Sequence, residues 1–122
     1  MMIRKLEENK KTVKESISNT YTVNLYGKTY EIWLSRSTYR NNDTLAVMAD
    51  CIEGPFAVLT VNLDDPLQDE EYAYIDINNC PWAEDFITEN DLGTFTGEYG
   101  YSGWCEYPLY HFNIDKIKSV RY

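Results

Sequence analysis

Five carboxylates crowd one short stretch of this chain: Asp64, Asp65, Asp69, Glu70 and Glu71. Oxygen ligands at that density suit a hard divalent cation such as calcium or magnesium. The spacing is not that of an EF-hand, which needs D-x-[DN]-x-[DN]-G and a distal Glu. A solvated acidic loop accounts for the same residues without any ligand. We group them with Glu84 and Asp85 as candidates for an acidic binding surface. Cys80, Cys105 and the single histidine, His111, could converge on zinc, yet they lack the close C-x-x-C pairs of structural zinc sites. Cys80 precedes a predicted helix whose dipole would lower a thiol pKa, while Glu84 and Asp85 push the other way. A packed, inert cysteine answers the same pattern. His111 stands between Tyr110 and Phe112 as a residue of a strand. There is no G-x-S-x-G nucleophile elbow. The run Gly97-Glu98-Tyr99-Gly100-Tyr101-Ser102-Gly103 lacks the lysine and following helix of a phosphate-cradling loop, and Glu98 would repel phosphate. These residues nominate no catalytic group and no cofactor.

The same glycine-rich run offers a different chemistry. Tyr99, Tyr101, Trp104 and Tyr107 stand among small residues. Tyrosine and tryptophan are the common anchors of protein interfaces. The competing expectation is a loop that folds its own rings onto the sheet.

The charge balance says what such surfaces could meet. The chain has 122 residues and a net charge of −9. Residues 41–115 hold sixteen Asp and Glu and no Lys or Arg, whereas residues 1–40 carry a net charge of +4. Carboxylates in that long segment must face water, a metal ion, the basic N-terminal segment or a basic partner. Direct binding to nucleic-acid phosphates is disfavoured. No stretch approaches the roughly 20 apolar residues that span a bilayer. The three cysteines, Cys51, Cys80 and Cys105, make no disulfide framework and suit a reducing compartment, so a cytoplasmic location is expected.

The elements that must position these side chains are mostly strands. Ile3, Leu6, Val13 and Ile17 predict an N-terminal helix or arm over residues 1–20, ahead of a single domain at 21–122. Tyr21–Tyr26 and Thr29–Leu34 read as a hairpin around Gly27-Lys28. Asn41-Asn42-Asp43 is a turn signal. Leu45–Met48 and Phe56–Leu63 are further strands, the second buried on both faces or bulged, and Tyr72–Ile77 is a fifth. Pro81 opens the one clear helix, through about Asn90, with apolar pairs Trp82–Phe86 and Ala83–Ile87 and with Gly93 as its left-handed stop. Leu109–Phe112 returns as a last short strand. The expected class is therefore α+β: one domain, mainly antiparallel sheet, with a short helix near 81–90.

Several of these residues together resemble a known family. Asn79-Cys80-Pro81-Trp82-Ala83-Glu84, Phe86-Ile87, Leu92-Gly93, Thr96-Gly97, Ser102-Gly103-Trp104-Cys105 and Tyr107-Pro108 look like the bacterial domain of unknown function 4313, over roughly residues 21–118. The resemblance implies a small protein often carried on plasmids and conjugative elements, and it brings no catalytic residues. Such a context would suit a non-enzymatic acidic protein that binds a basic, nucleic-acid-handling defence enzyme of anti-restriction or anti-CRISPR type. Same-face residues of a strand lie about 6.6–6.8 Å apart, comparable to phosphate spacing, so acids on strands could imitate a nucleic-acid backbone. The alternatives are a small metal-dependent enzyme or ligand-binding module using the 64–71 carboxylates or the Cys80, Cys105 and His111 set, and an accessory protein of conjugation.

Overall fold

The computed structural model describes residues 20–40, 42–63, 67 and 69–119. The predicted N-terminal helix and the acids Asp64 and Asp65 lie outside them. The described chain is a mainly antiparallel ribbon of strands with one short α-helix and a 3-10 turn at Ile114–Lys116. The strands are β1 (Thr20–Leu25), β2 (Lys28–Thr38), β3 (Leu45–Cys51), β4 (Gly54–Val58), β5 (Thr60–Val61), β6 (Tyr72–Ile75), β7 (Gly93–Ser102), β8 (Cys105–Phe112) and β9 (Lys118–Ser119). The helix, α1, spans Ala83–Glu89.

Two sheets share these strands. One runs in the order β1-β2-β3-β4, with β9 added in parallel beside β2, and the other runs β5-β6-β8-β7. Leu59 joins them. Its N–H donates to the Val47 carbonyl of β3 at 2.9 Å, and its own carbonyl accepts from the Asp76 N–H just beyond β6 at 2.9 Å. The predicted Phe56–Leu63 strand is thus one chain path that leaves the first sheet and enters the second. Of its buried residues, Leu59 and Thr60 sit at that crossing and Leu63 follows them, and a register shift interrupts β3–β4 between Ala49 and Asp50. Thr60 Oγ1 accepts from the Val47 N–H at 3.2 Å, and the Tyr39 hydroxyl reaches the same oxygen at 3.0 Å. The buried crossing thereby keeps its backbone groups paired.

Inward residues of both sheets meet α1 in one core, with Ile32, Val47, Leu59, Ile75, Ile87, Leu92 and Phe112 almost wholly buried. Helix α1 buries Ala83, Phe86 and Ile87. Phe86 packs edge-on against Trp82 and against Tyr21 of β1, which ties the helix to the far edge of the first sheet. Arg36 fastens the C-terminal turn. Its Nε donates to the carbonyls of Ile114 and Ile117 at 3.2 and 2.8 Å, beside the short β2–β9 pairing.

Turn chemistry differs from expectation in two places. The first hairpin turns at Tyr26-Gly27, with φ of 51° and 79°, rather than at Gly27-Lys28. Two consecutive left-handed residues match the twist of the flanking strands. After α1 it is Asp91, with φ of 54°, that takes the left-handed conformation expected of Gly93. Gly93 is required for packing instead: a Cβ there would fall 2.9 Å from the His111 carbonyl oxygen and 3.3 Å from Ile87 Cγ2.

Candidate functional site

The glycine-rich run predicted as a loop is a hairpin. β7 pairs with β8 from Gly93↔Phe112 to Ser102↔Cys105, with a register shift between Phe95 and Tyr99. Three β7 residues, 96–98, stand against one residue of β8 there, and Gly97 takes φ of 92°. Pro108 sits at that break, opposite Tyr99 and one residue past the last β6–β8 partner, Leu109. A proline is tolerated inside β8 because the ladder to β6 has just ended.

The bulge decides which rings share a face. Phe95 lies opposite Tyr110, Tyr99 opposite Pro108, and Tyr101 opposite Glu106. Alternation along β8 therefore puts Phe95, Tyr99, Tyr101, Glu106 and Tyr110 on one side of the ribbon. Phe95 packs against Tyr99 at 5.4 Å and against Tyr110 at 5.6 Å between ring centroids. Near α1 this face is core, with Tyr110 buried. Farther along it emerges: Phe95, Tyr99 and Tyr101 are 38%, 45% and 65% exposed. Trp104, in the turn, is fully exposed. Tyr107 does not belong to this surface. It faces the opposite side and is buried, its hydroxyl accepting from Asn78 Nδ2 at 3.3 Å.

Carboxylates flank the rings. The Tyr110 hydroxyl donates to Glu84 Oε2 at 2.8 Å. Burial and that bond, with Asp85 nearby, hold the Tyr110 phenol far above its ordinary range. Glu106, directly across the strand pair from Tyr101, likewise pushes the Tyr101 phenol up. Glu98 lies in the bulge, its N–H donating to Thr96 Oγ1 at 3.1 Å. Among the described residues no Lys or Arg pairs with Glu84, Glu98 or Glu106; the contacts of this kind are the Lys116–Asp91 ion pair and the His111–Glu71 hydrogen bond. The result is a strip of exposed rings bordered by negative charge. Phe95, Glu98 and Glu106 were not nominated from sequence, because cross-strand register set by a bulge decides their membership.

The predicted acidic surface is divided. Asp69 Oδ1 accepts from the Glu71 N–H at 2.8 Å, so it shapes a turn, while Glu70 is exposed. Glu71 is bonded to His111 Nε2 at 2.8 Å, and the Tyr72 ring stacks on the imidazole at 4.6 Å. A cavity of about 330 Å³ opens beside this pair, lined also by Asn113, Asp115 and Lys116. Glu84 belongs to the aromatic strip, and Asp85 is an exposed neighbour on α1.

Cys80, Cys105 and His111 are not brought together: among the described residues no three His, Cys, Asp or Glu side chains are grouped to hold a metal ion. All three cysteines are free thiols. Cys80 is not the helix cap, a position held by Trp82. Its buried thiol donates to the Val58 carbonyl at 3.5 Å, and burial, then Asp76, push its pKa up, which makes it a poor nucleophile. Cys105 Sγ accepts from Asn78 Nδ2 at 3.1 Å. No helix among the described residues is long and apolar enough to cross a membrane.

One family model matches the chain, that of a domain of unknown function (DUF4313), over residues 29–122. No curated protein and no solved structure matches.

Proposed function

The chain belongs to the DUF4313 family, and from that premise we propose that it is a non-enzymatic binding protein that presents an acidic, aromatic surface to a basic protein partner. The observation behind this reading is the strip on β7 and β8, where Phe95, Tyr99 and Tyr101 are exposed beside Glu84 and Glu106, with the exposed Glu98 in the adjoining bulge. Exposed rings grouped in one place supply contact area at low entropic cost. Carboxylates that pair with no Lys or Arg among the described residues favour a cationic partner and repel phosphates. The partner class best suited is a protein whose own basic site handles nucleic acid, and a counter-defence role fits the mobile-element carriage that the family resemblance implies.

The test is affinity capture from host extract with the wild-type chain and with a Tyr99→Ala, Tyr101→Ala, Glu106→Gln variant. A basic nucleic-acid-binding protein held by the wild type, lost with the variant and released by duplex DNA is the expected result. Capture that is unchanged in the variant, or a complex that still binds DNA with undiminished affinity, would remove the mimic mechanism.

A further inference from the structure

We infer that the partner contributes an extended, arginine-bearing segment that adds as a new strand along the free edge of β7; this rests on the reading above and names the form of its ligand. Among the described residues β7 is the terminal strand of its sheet and is bonded to β8 alone. Its final stretch, Tyr99–Ser102, is regular ladder beyond the bulge, so its outer edge is straight enough to accept a further strand. Natural sheet edges are blunted with charged side chains such as lysine, with proline, with bulges or with a covering element, and the bulge of β7 ends before Tyr99–Ser102. β7 reads GTFTGEYGYS, with neither lysine nor proline, and all of its residues from Thr94 to Ser102 except Gly100 are exposed. Gly100 holds the strand in place: the Tyr74 ring and Leu63 lie so close beneath it that a Cβ would meet both at 2.6 Å.

Charge selects the occupant. A second copy of this acidic chain would set Glu98 and Glu106 against their own kind, and an anionic membrane would be repelled. An apolar peptide would strip water from those carboxylates without pairing them. Arginine answers both halves of the strip, since its guanidinium stacks on tyrosine faces and bonds carboxylates in bidentate fashion. Tyr99 and Tyr101 lie on one face at the two-residue repeat of a strand, about 6.6–6.8 Å apart. The matching segment therefore carries arginine at alternate positions.

The probe is a ten-residue peptide of alternating arginine and threonine, titrated into the full chain labelled with nitrogen-15. The controls are the same peptide N-methylated at alternate backbone amides, and a scrambled peptide of equal charge. Expected is slowed exchange and shifted resonance of β7 amides at 99–102 with no change at β1, and affinity at least tenfold weaker for the N-methylated peptide. Equal affinity for the parent and N-methylated peptides would overturn strand addition while leaving capture of a basic partner standing. Binding of no cationic peptide at all would sink both readings. A concentration-dependent dimer that protects the same β7 amides would show that a second copy is the occupant and overturn the inference.

Discussion

Two of the terminal strands of this molecule, β1 and β7, face the same physical problem and solve it in opposite ways. β1 turns Tyr21, Val23 and Leu25 toward the core and exposes Thr20, Thr22 and Asn24. Its polar side chains are used locally: Thr22 Oγ1 donates to Glu31 at 3.2 Å, and Thr29 Oγ1 donates to Asn24 at 2.6 Å. β7 exposes Phe95, Tyr99 and Tyr101. A sheet edge in this fold can be polar, as β1 demonstrates. The rings of β7 are therefore not a by-product of being at an edge, and the proposed binding role rests on them.

That contrast can be broken most severely at the helix. Phe86 is buried and packs on Tyr21, so Phe86→Ala removes the anchor of β1. A loss of about 3–5 kcal/mol is expected in chemical denaturation. A change under about 1 kcal/mol would mean that the β1 edge is held by something else. Gly100→Ala tests the support beneath β7. The added methyl must displace Leu63 and Tyr74, costing about 1–3 kcal/mol. If thermal melting is unaltered, the close approach of that ring does not matter to the fold.

Tyr110→Phe separates the buried from the exposed part of the aromatic face. Loss of its bond to Glu84 should cost about 1 kcal/mol at neutral pH. Its pH dependence has a definite sign. The folded-state pKa of Tyr110 is raised above the 10.0 of an ordinary phenol, so its contribution is complete below that pH and fades as pH climbs through and beyond it. Urea midpoints measured from pH 8 to 11 should fall less steeply for the variant than for the wild type. Parallel curves would show that the phenol does not couple ionisation to folding. The smallest effect is expected at the hairpin turn. Trp104→Ala should leave stability within about 0.5 kcal/mol, because the indole is fully exposed. A larger loss would mean that Trp104 packs in solution and is unavailable to a partner.

The strands and helix were readable because their signals are local. Alternation at Tyr21–Leu25 and the spaced pairs Trp82–Phe86 and Ala83–Ile87 each depend on neighbours a few residues away, and the fold agrees with them. The candidate site was readable only in part. Tyr99, Tyr101 and Trp104 drew notice by type, but composition cannot separate them from Tyr107, which the ladder turns inward. The density of acids at 69–71 suggested one surface. In fact Asp69 is used in a turn and Glu71 is bonded to a histidine forty residues away. Contacts over that separation depend on sheet order, which local patterning does not encode. Gly93 shows the same limit, since its value lies in how closely the chain packs there rather than in its torsion angle.

The crossing at Leu59 has a consequence for how the molecule opens. Its N–H is bonded to one sheet and its carbonyl to the other, so neither sheet can detach while both bonds remain. Local opening therefore has no natural seam at the midpoint of the ribbon. The amides of Leu59 and Asp76 should exchange with solvent deuterium only through global unfolding, at one shared rate, while the β7 amides exchange by fraying at the edge. The edge strand and the central joint then sit within a single cooperative unit, so fraying at β7 need not loosen the halves from one another.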